Sequence, residues 1–204
     1  NEASSVESNG DVKVSHMVYG GLAYGTEKVT SDVVIITAAG GTFEAKPANA
    51  GATGEVVNVN IVDAASKIVC KARKPKEASS VDLSAAKRVV GVGRGFAKEE
   101  DLKLAEELAK ALGAEVGCSR PIAEGEKWME TGRYIGVSGV MLKPDFYLAI
   151  GISGQIQHMV GANSAQTIIA INKDKNAPIF KTADYGIVGD LYKIVPALTK
   201  LLGA

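Results

Sequence analysis

Apolar positions recur along this chain with two different periods. Val12 and Val14 alternate with Lys13 and Ser15, the two-residue period of a strand. Val33–Thr37 is a β-branched run that predicts a buried strand, and Val56–Val62 alternates again. The first ten residues are polar and predict a loose end. Gly20–Gly21 and Gly40–Gly41 predict turns. Between residues 11 and 72 strands are expected and no amphipathic helix. Such a segment leaves sheet faces and edges uncovered. Residues 73–80 are charged, carry Pro75 and have no period, which predicts a linker and a boundary near residue 82.

Beyond that boundary the pattern changes to strands separated by helical spacing. Strands are predicted at 88–92, 114–118, 146–150 and 167–171, with a short fifth at 178–180. Leu102, Ala105, Leu108, Ala109 and Leu112 share one helical face, acidic residues precede it, and Gly113 stops it. Asp190 caps a last helix through Leu191, Ile194, Leu198 and Leu202, with Pro196 expected to distort its first turns. The alternation implies an α/β fold, a doubly wound and mostly parallel sheet with helices on both faces. A smaller strand-rich segment precedes it. In such sheets ligands lie at the carboxyl ends of the strands, where Arg94, Ser119, Arg120, Ser153 and Asn172 fall.

Composition narrows the chemistry. The 204 residues carry 23 Lys and Arg against 23 Asp and Glu. A zero balance argues against nucleic acid as a partner, because phosphate neutralisation needs an excess of cations. No apolar run is long enough to span a membrane. Cys70 and Cys118 are too far apart for a zinc motif and read as reduced thiols, so no metal is expected. Glycine is over-represented at 23 residues, which predicts many close backbone approaches.

Three constellations carry candidate chemistry. Gly91-Val-Gly93-Arg-Gly95 follows a strand and precedes a helix, but its third glycine comes one position early for a dinucleotide fingerprint. It is equally a plain tight turn. Gly151-Ile-Ser153-Gly154-Gln155 lacks the second glycine of a nucleophile elbow, and His158 follows Ser153 too closely for a hydrolase order. A phosphate cradle fits better, with a helix starting near Gln155 adding its positive end. His158 follows that loop and is weighted as functional, whereas His16 has no such context.

Six motifs occur in order: Val92-Gly-Arg-Gly95, Gly117-Cys-Ser-Arg-Pro121, Ile135-Gly-Val-Ser-Gly139, Gly151-Ile-Ser-Gly-Gln-Ile-Gln-His158, Ala170-Ile-Asn-Lys-Asp174 and Ala183-Asp-Tyr-Gly-Ile-Val-Gly-Asp190. Together they resemble the FAD-binding domain of the electron transfer flavoprotein alpha subunit. Residues 17–45 resemble the closing strands of that subunit's first domain. The resemblance divides the chain into 1–81, a strand-rich remnant of an N-terminal domain with its linker, and 82–204, an FAD-binding domain.

The resemblance implies a set of FAD contacts. Arg94 contacts the cofactor, and Ser119 and Arg120 lie beside the isoalloxazine ring. Ser138, next to Gly139, bonds a ring nitrogen. Ser153, Gly154, Gln157 and His158 hold the pyrophosphate, ribityl and pyrimidine end, and Asn172 and Asp190 hold the adenosine portion. Val137 stands where the family commonly has Gln, which removes one polar contact. The family's subunit is also about half as long again, so much of its first domain has no counterpart here. The implied role is a redox electron carrier without a substrate of its own. It would pair with a beta subunit. It would carry electrons between flavin dehydrogenases and a quinone reductase, or take part in electron bifurcation with NADH. The place of work would be the cytoplasm of a prokaryote or the mitochondrial matrix of a eukaryote. A nucleotide-dependent oxidoreductase and a non-catalytic nucleotide-binding assembly module are the alternatives on the same sheet.

Overall fold

The computed structural model describes residues 3–38, 42–44, 46–47, 49, 51–60, 68–73 and 81–203. Two sheets are built from them. The first is antiparallel, in the order β1-β2-β3, from Ala3–Ser8, Val12–Val18 and Ala23–Lys28. Val6 lies opposite Val14 and Glu7 opposite Lys13, so apolar and charged cross-strand pairs set the register. The Ser4 hydroxyl donates to the Ser15 carbonyl at 2.9 Å. The polar start expected to be loose is therefore a strand. Its side chains are polar because most of its surface is exposed, and its backbone is satisfied by β2.

Two other expected strands are not formed among the described residues. Val33–Thr37 lies outside the strands, and Val33 and Ile35 are exposed. The Ala3 N–H donates to the Thr37 carbonyl, but a β-branched run needs a full ladder to become a buried strand. Residues 56–60 are likewise outside any strand and exposed. Residues 61–62, Gly40–Gly41 and most of the 73–80 linker lie outside the described residues. The Gly20–Gly21 turn is present as a single helical turn, Tyr19–Gly21.

The second sheet is wholly parallel. It comprises β4 (Arg88–Val92), β5 (Glu115–Cys118), β6 (Phe146–Ile150), β7 (Thr167–Asn172) and β8 (Tyr185–Val188), in the order β5-β4-β6-β7-β8. The expected strand at 178–180 is instead a helical turn, Pro178–Lys181. Pro178 has no N–H to give a ladder, and Ile179 donates to the Ser153 carbonyl at 2.9 Å. The fifth strand is β8.

Side chains alternate between the two faces. Val90, Val92, Leu148 and Ile150 pack beneath α1 (Leu102–Leu112) and α3 (Leu191–Leu201). Val89, Tyr147, Ala149 and Ala170 face the other side, among Ile135, Leu142, Met159 and Ile179. That side is covered by loops and by α2 (Ile156–Met159), a single turn. Both faces are thus dry, which is why the strands read as near-continuous apolar runs. α1 ends at Gly113 in the left-handed region, φ 59°. α3 runs unbroken through Pro196, because the carbonyl this proline leaves unbonded belongs to the partly exposed Tyr192.

The strand order positions the site. From β4 the chain moves to β5 on one side, then returns to β6 on the other. Connections therefore diverge at the carboxyl ends of β4 and β6, and ligands bind at such a switch point.

Candidate cofactor site

A cleft of about 850 Å³ opens at that point. Each wall is the residue run that leaves a strand. β4 contributes Arg94, β5 contributes Ser119 and Arg120, and β6 contributes Ser153 and Gly154. The turn after Ile135 adds Ser138, and α2 adds Gln157 and His158. Eight of the eleven expected residues thus share one cavity. Its size suits a cofactor.

Gly139, Asn172 and Asp190 do not line this cleft. A Cβ on Gly139 would run into the Tyr134 carbonyl, so close packing explains that glycine. Asn172 clamps two loops. Its Nδ2 donates to the Ile152 carbonyl at 2.9 Å, and its Oδ1 accepts from the Asp174 N–H at 2.9 Å. Asp190 caps α3 by accepting from the Tyr192 N–H at 3.0 Å. Asn172 and Asp190 sit at the carboxyl edge of the sheet, and all three residues have local structural work that accounts for them.

The walls also include Tyr134, Gln155, Ile156 and Pro178, which sequence reasoning missed. Tyr134 bonds Ser138 through their hydroxyls at 3.3 Å. The signal for it was its place one residue before the Ile135–Gly139 motif.

The charges in the cleft have one sign. Arg94 and Arg120 line it, and no carboxylate does among the described residues. Arg120 Nε donates to Glu124 Oε2 at 2.6 Å across the helical turn Pro121–Glu126. Both side chains are largely exposed, so water screens the pair. The hydrogen bond to Glu124 raises the Arg120 pKa and keeps it cationic. The turn at Gln155 opens α2, but four residues build little dipole, so the expected helical support for phosphate is small.

His158 is a buried titratable residue of the walls, with 8% of its surface exposed. Its Nε2 lies 2.7 Å from the Tyr147 hydroxyl. Its Nδ1 is buried and has no hydrogen-bond partner. Burial pushes the imidazole pKa down to about 4, while the nearby Ile135 carbonyl works in the opposite direction. At neutral pH the ring is uncharged. With Nε2 committed to Tyr147, His158 is not placed as a base for Ser153.

A second groove, of about 750 Å³, runs along α1 and β5 past Trp128 and Met129. None of the expected residues lies in it. Its mixed glutamates and lysines define no converging chemistry.

Residues 82–163 match the electron transfer flavoprotein FAD-binding domain. The matched residues hold most of the cleft described above. The chain is 58% identical over 203 residues to YdiR of Escherichia coli (strain K12), which bears the name of an electron transfer flavoprotein subunit. It is 56% identical over 203 residues to FixB of Escherichia coli O7:K1 (strain IAI39 / ExPEC). Each match covers 99% of this chain and 65% of the relative, so the chain spans about two-thirds of their length.

FAD fits the residues present. A pyrophosphate needs cations and donors, and the cleft has two arginines and no opposing carboxylate in its walls. Flavin carbonyls are acceptors, and His158 Nδ1 is a buried polar atom that the protein leaves unmatched. Among the described residues no helix is long and apolar enough to cross a membrane.

Proposed function

We propose that this chain is the FAD-binding subunit of an electron transfer flavoprotein. It pairs with a beta subunit and carries electrons between flavin dehydrogenases and a quinone reductase, or in bifurcation with NADH. The observation that supports this reading best is the unmatched His158 Nδ1 in a cation-lined cleft at the switch point. Relatives from Escherichia coli favour work in the cytoplasm.

In this reading Arg94, Ser153, Gly154 and Gln157 hold the pyrophosphate and ribityl chain. Ser119, Arg120, Ser138 with Gly139, and His158 surround the flavin ring. Asn172 and Asp190 serve the adenosine end from the carboxyl edge. The division near residue 82 then separates the cofactor domain from the strand-rich segment. Bound FAD supplies reversible acceptance and release of electrons. The protein's own contribution is electrostatic. Arg120 favours added negative charge on its neighbour, and His158 offers an N–H to an acceptor without adding a charge. Tyr134 keeps the Ser138 hydroxyl in place.

A visible spectrum of the purified protein tests the reading. Flavin bands near one FAD per chain, with a co-purifying second subunit, are expected. A colourless protein that ignores added FAD would overturn it.

A further inference from the structure

Tyr147 is at the centre of β6, fully buried, with its hydroxyl beneath Gly91. A Cβ on residue 91 would run into that hydroxyl. Glycine at this strand position therefore makes room for one polar group in an aliphatic layer. Buried hydroxyls in such layers need a partner. Among the described residues the recorded partner is His158 Nε2 at 2.7 Å.

The pair holds one O–H and, in the uncharged imidazole, one N–H. Two arrangements are possible. If Nε2 carries the proton, it donates to the tyrosine oxygen. The Tyr147 O–H then has no acceptor, and the Nδ1 lone pair has no donor. If Nδ1 carries the proton, Tyr147 donates to Nε2 and only the Nδ1–H is unmatched. The first arrangement leaves two buried groups unmatched, the second leaves one. An unmatched buried group lowers a population by about tenfold or more, so the second arrangement prevails.

We propose that Tyr147 is a positioning residue that holds His158 in its Nδ1–H tautomer, leaving a buried N–H donor for an acceptor atom of the bound FAD. What that donor meets rests on the function proposed above, whereas the tautomer does not. Tyr147 acts only through His158. The sheet interior thereby sets the chemistry of the cleft, since β6 carries the hydroxyl and the loop after it carries the binding residues.

The test is ¹⁵N NMR of protein labelled at histidine, with and without FAD, at neutral pH. The chain has two histidines, so His158→Gln assigns the signals. Wild-type His158 is expected to show a protonated Nδ1 and an unprotonated Nε2, already without FAD. Tyr147→Phe is expected to move the ring toward the Nε2–H form and to weaken FAD binding between about twofold and tenfold, the span of one ordinary hydrogen bond. Circular dichroism checks that the variant is folded. An Nε2–H tautomer in the wild type overturns the proposal, and so does a folded Tyr147→Phe protein whose tautomer is unchanged. If that variant does not fold, the wild-type spectrum alone decides. Failure of the wild type to take up FAD would remove the functional reading and leave the tautomer result standing.

Discussion

Gly95 and Gly151 pack backbone against backbone. The Gly95 N–H donates to the Gly151 carbonyl at 3.0 Å. A Cβ on Gly95 would stand 2.5 Å from the Gly151 Cα, and one on Gly151 would stand 2.8 Å from the Gly95 Cα. Gly151 is also in the left-handed region at φ 63°. These glycines lock the turns after β4 and β6 together, so the two walls of the cleft form one rigid corner. Gly151→Ala combines a steric overlap with a left-handed backbone, which costs about 1–2 kcal/mol by itself. A total loss of roughly 2–4 kcal/mol is expected in urea unfolding. A loss below about 0.5 kcal/mol would mean that the corner relaxes freely.

Asp190 separates a capping role from a binding role. Its carboxylate accepts the Tyr192 N–H and starts α3. Asp190→Ala is expected to lower stability by about 1 kcal/mol. Asp190→Asn keeps a capping oxygen and is expected to keep most of that stability. If Asp190 also holds the adenosine end of FAD, fluorescence titration will show weaker FAD binding in both variants. Unchanged binding in both would confine this residue to the cap.

The parallel sheet was legible because its local signals agree. The 88–92 run, the 102–112 helix with Gly113 behind it, and the 146–150 run each carry one period and one clear stop, and each is found at those bounds. Val33–Thr37 carried an equally strong β signal and is exposed. Propensity reports an extended backbone, but a strand also needs a neighbour, and the residue run says nothing about that. Pro178–Phe180 failed for the opposite reason, since an apolar triplet is ambiguous and tertiary bonding from Ile179 to the Ser153 loop decided it. In the site, residues on strand ends were legible because the ends converge. Tyr134 was not, since it reaches the cleft through a loop whose course no periodicity describes. The Tyr147–His158 pair was not legible either, because it joins a core strand position to a turn eleven residues on.

Arg120 and Glu124 should tune the flavin in opposite directions. Their ion pair is 2.6 Å long and Arg120 lines the cleft. Reduction adds negative charge to the flavin, so a nearby cation raises the potential and a nearby carboxylate lowers it. Arg120→Ala is expected to lower the one-electron midpoint on the order of 30 mV, and Glu124→Gln to raise it by less. That size corresponds to about a threefold change in the equilibrium, at ~59 mV per tenfold. Spectroelectrochemical titration reads both. Added salt should shrink the Glu124→Gln effect, because the pair is exposed. An unchanged midpoint in Arg120→Ala removes this residue from the flavin's surroundings.

His158 should give the FAD-free protein a distinctive response to acid. Burial holds its folded pKa at about 4, below the ordinary value of 6.5. Between these values the unfolded chain takes up a proton that the native protein excludes. Protons then favour unfolding, so the stability present above pH 6.5 declines as the pH falls toward 4. The slope approaches ~1.4 kcal/mol per pH unit, and the whole window amounts to ~3 kcal/mol. Carboxylates add their own dependence, so the measurement is a difference. Urea unfolding of wild type and His158→Gln at pH 7 and 4.5 is expected to show a smaller loss on acidification in the variant. Below pH 4 both states are protonated and the two curves should run parallel. Equal losses between pH 7 and 4.5 would show that His158 titrates near its ordinary value, and that its ring is wetter than its 8% exposure implies.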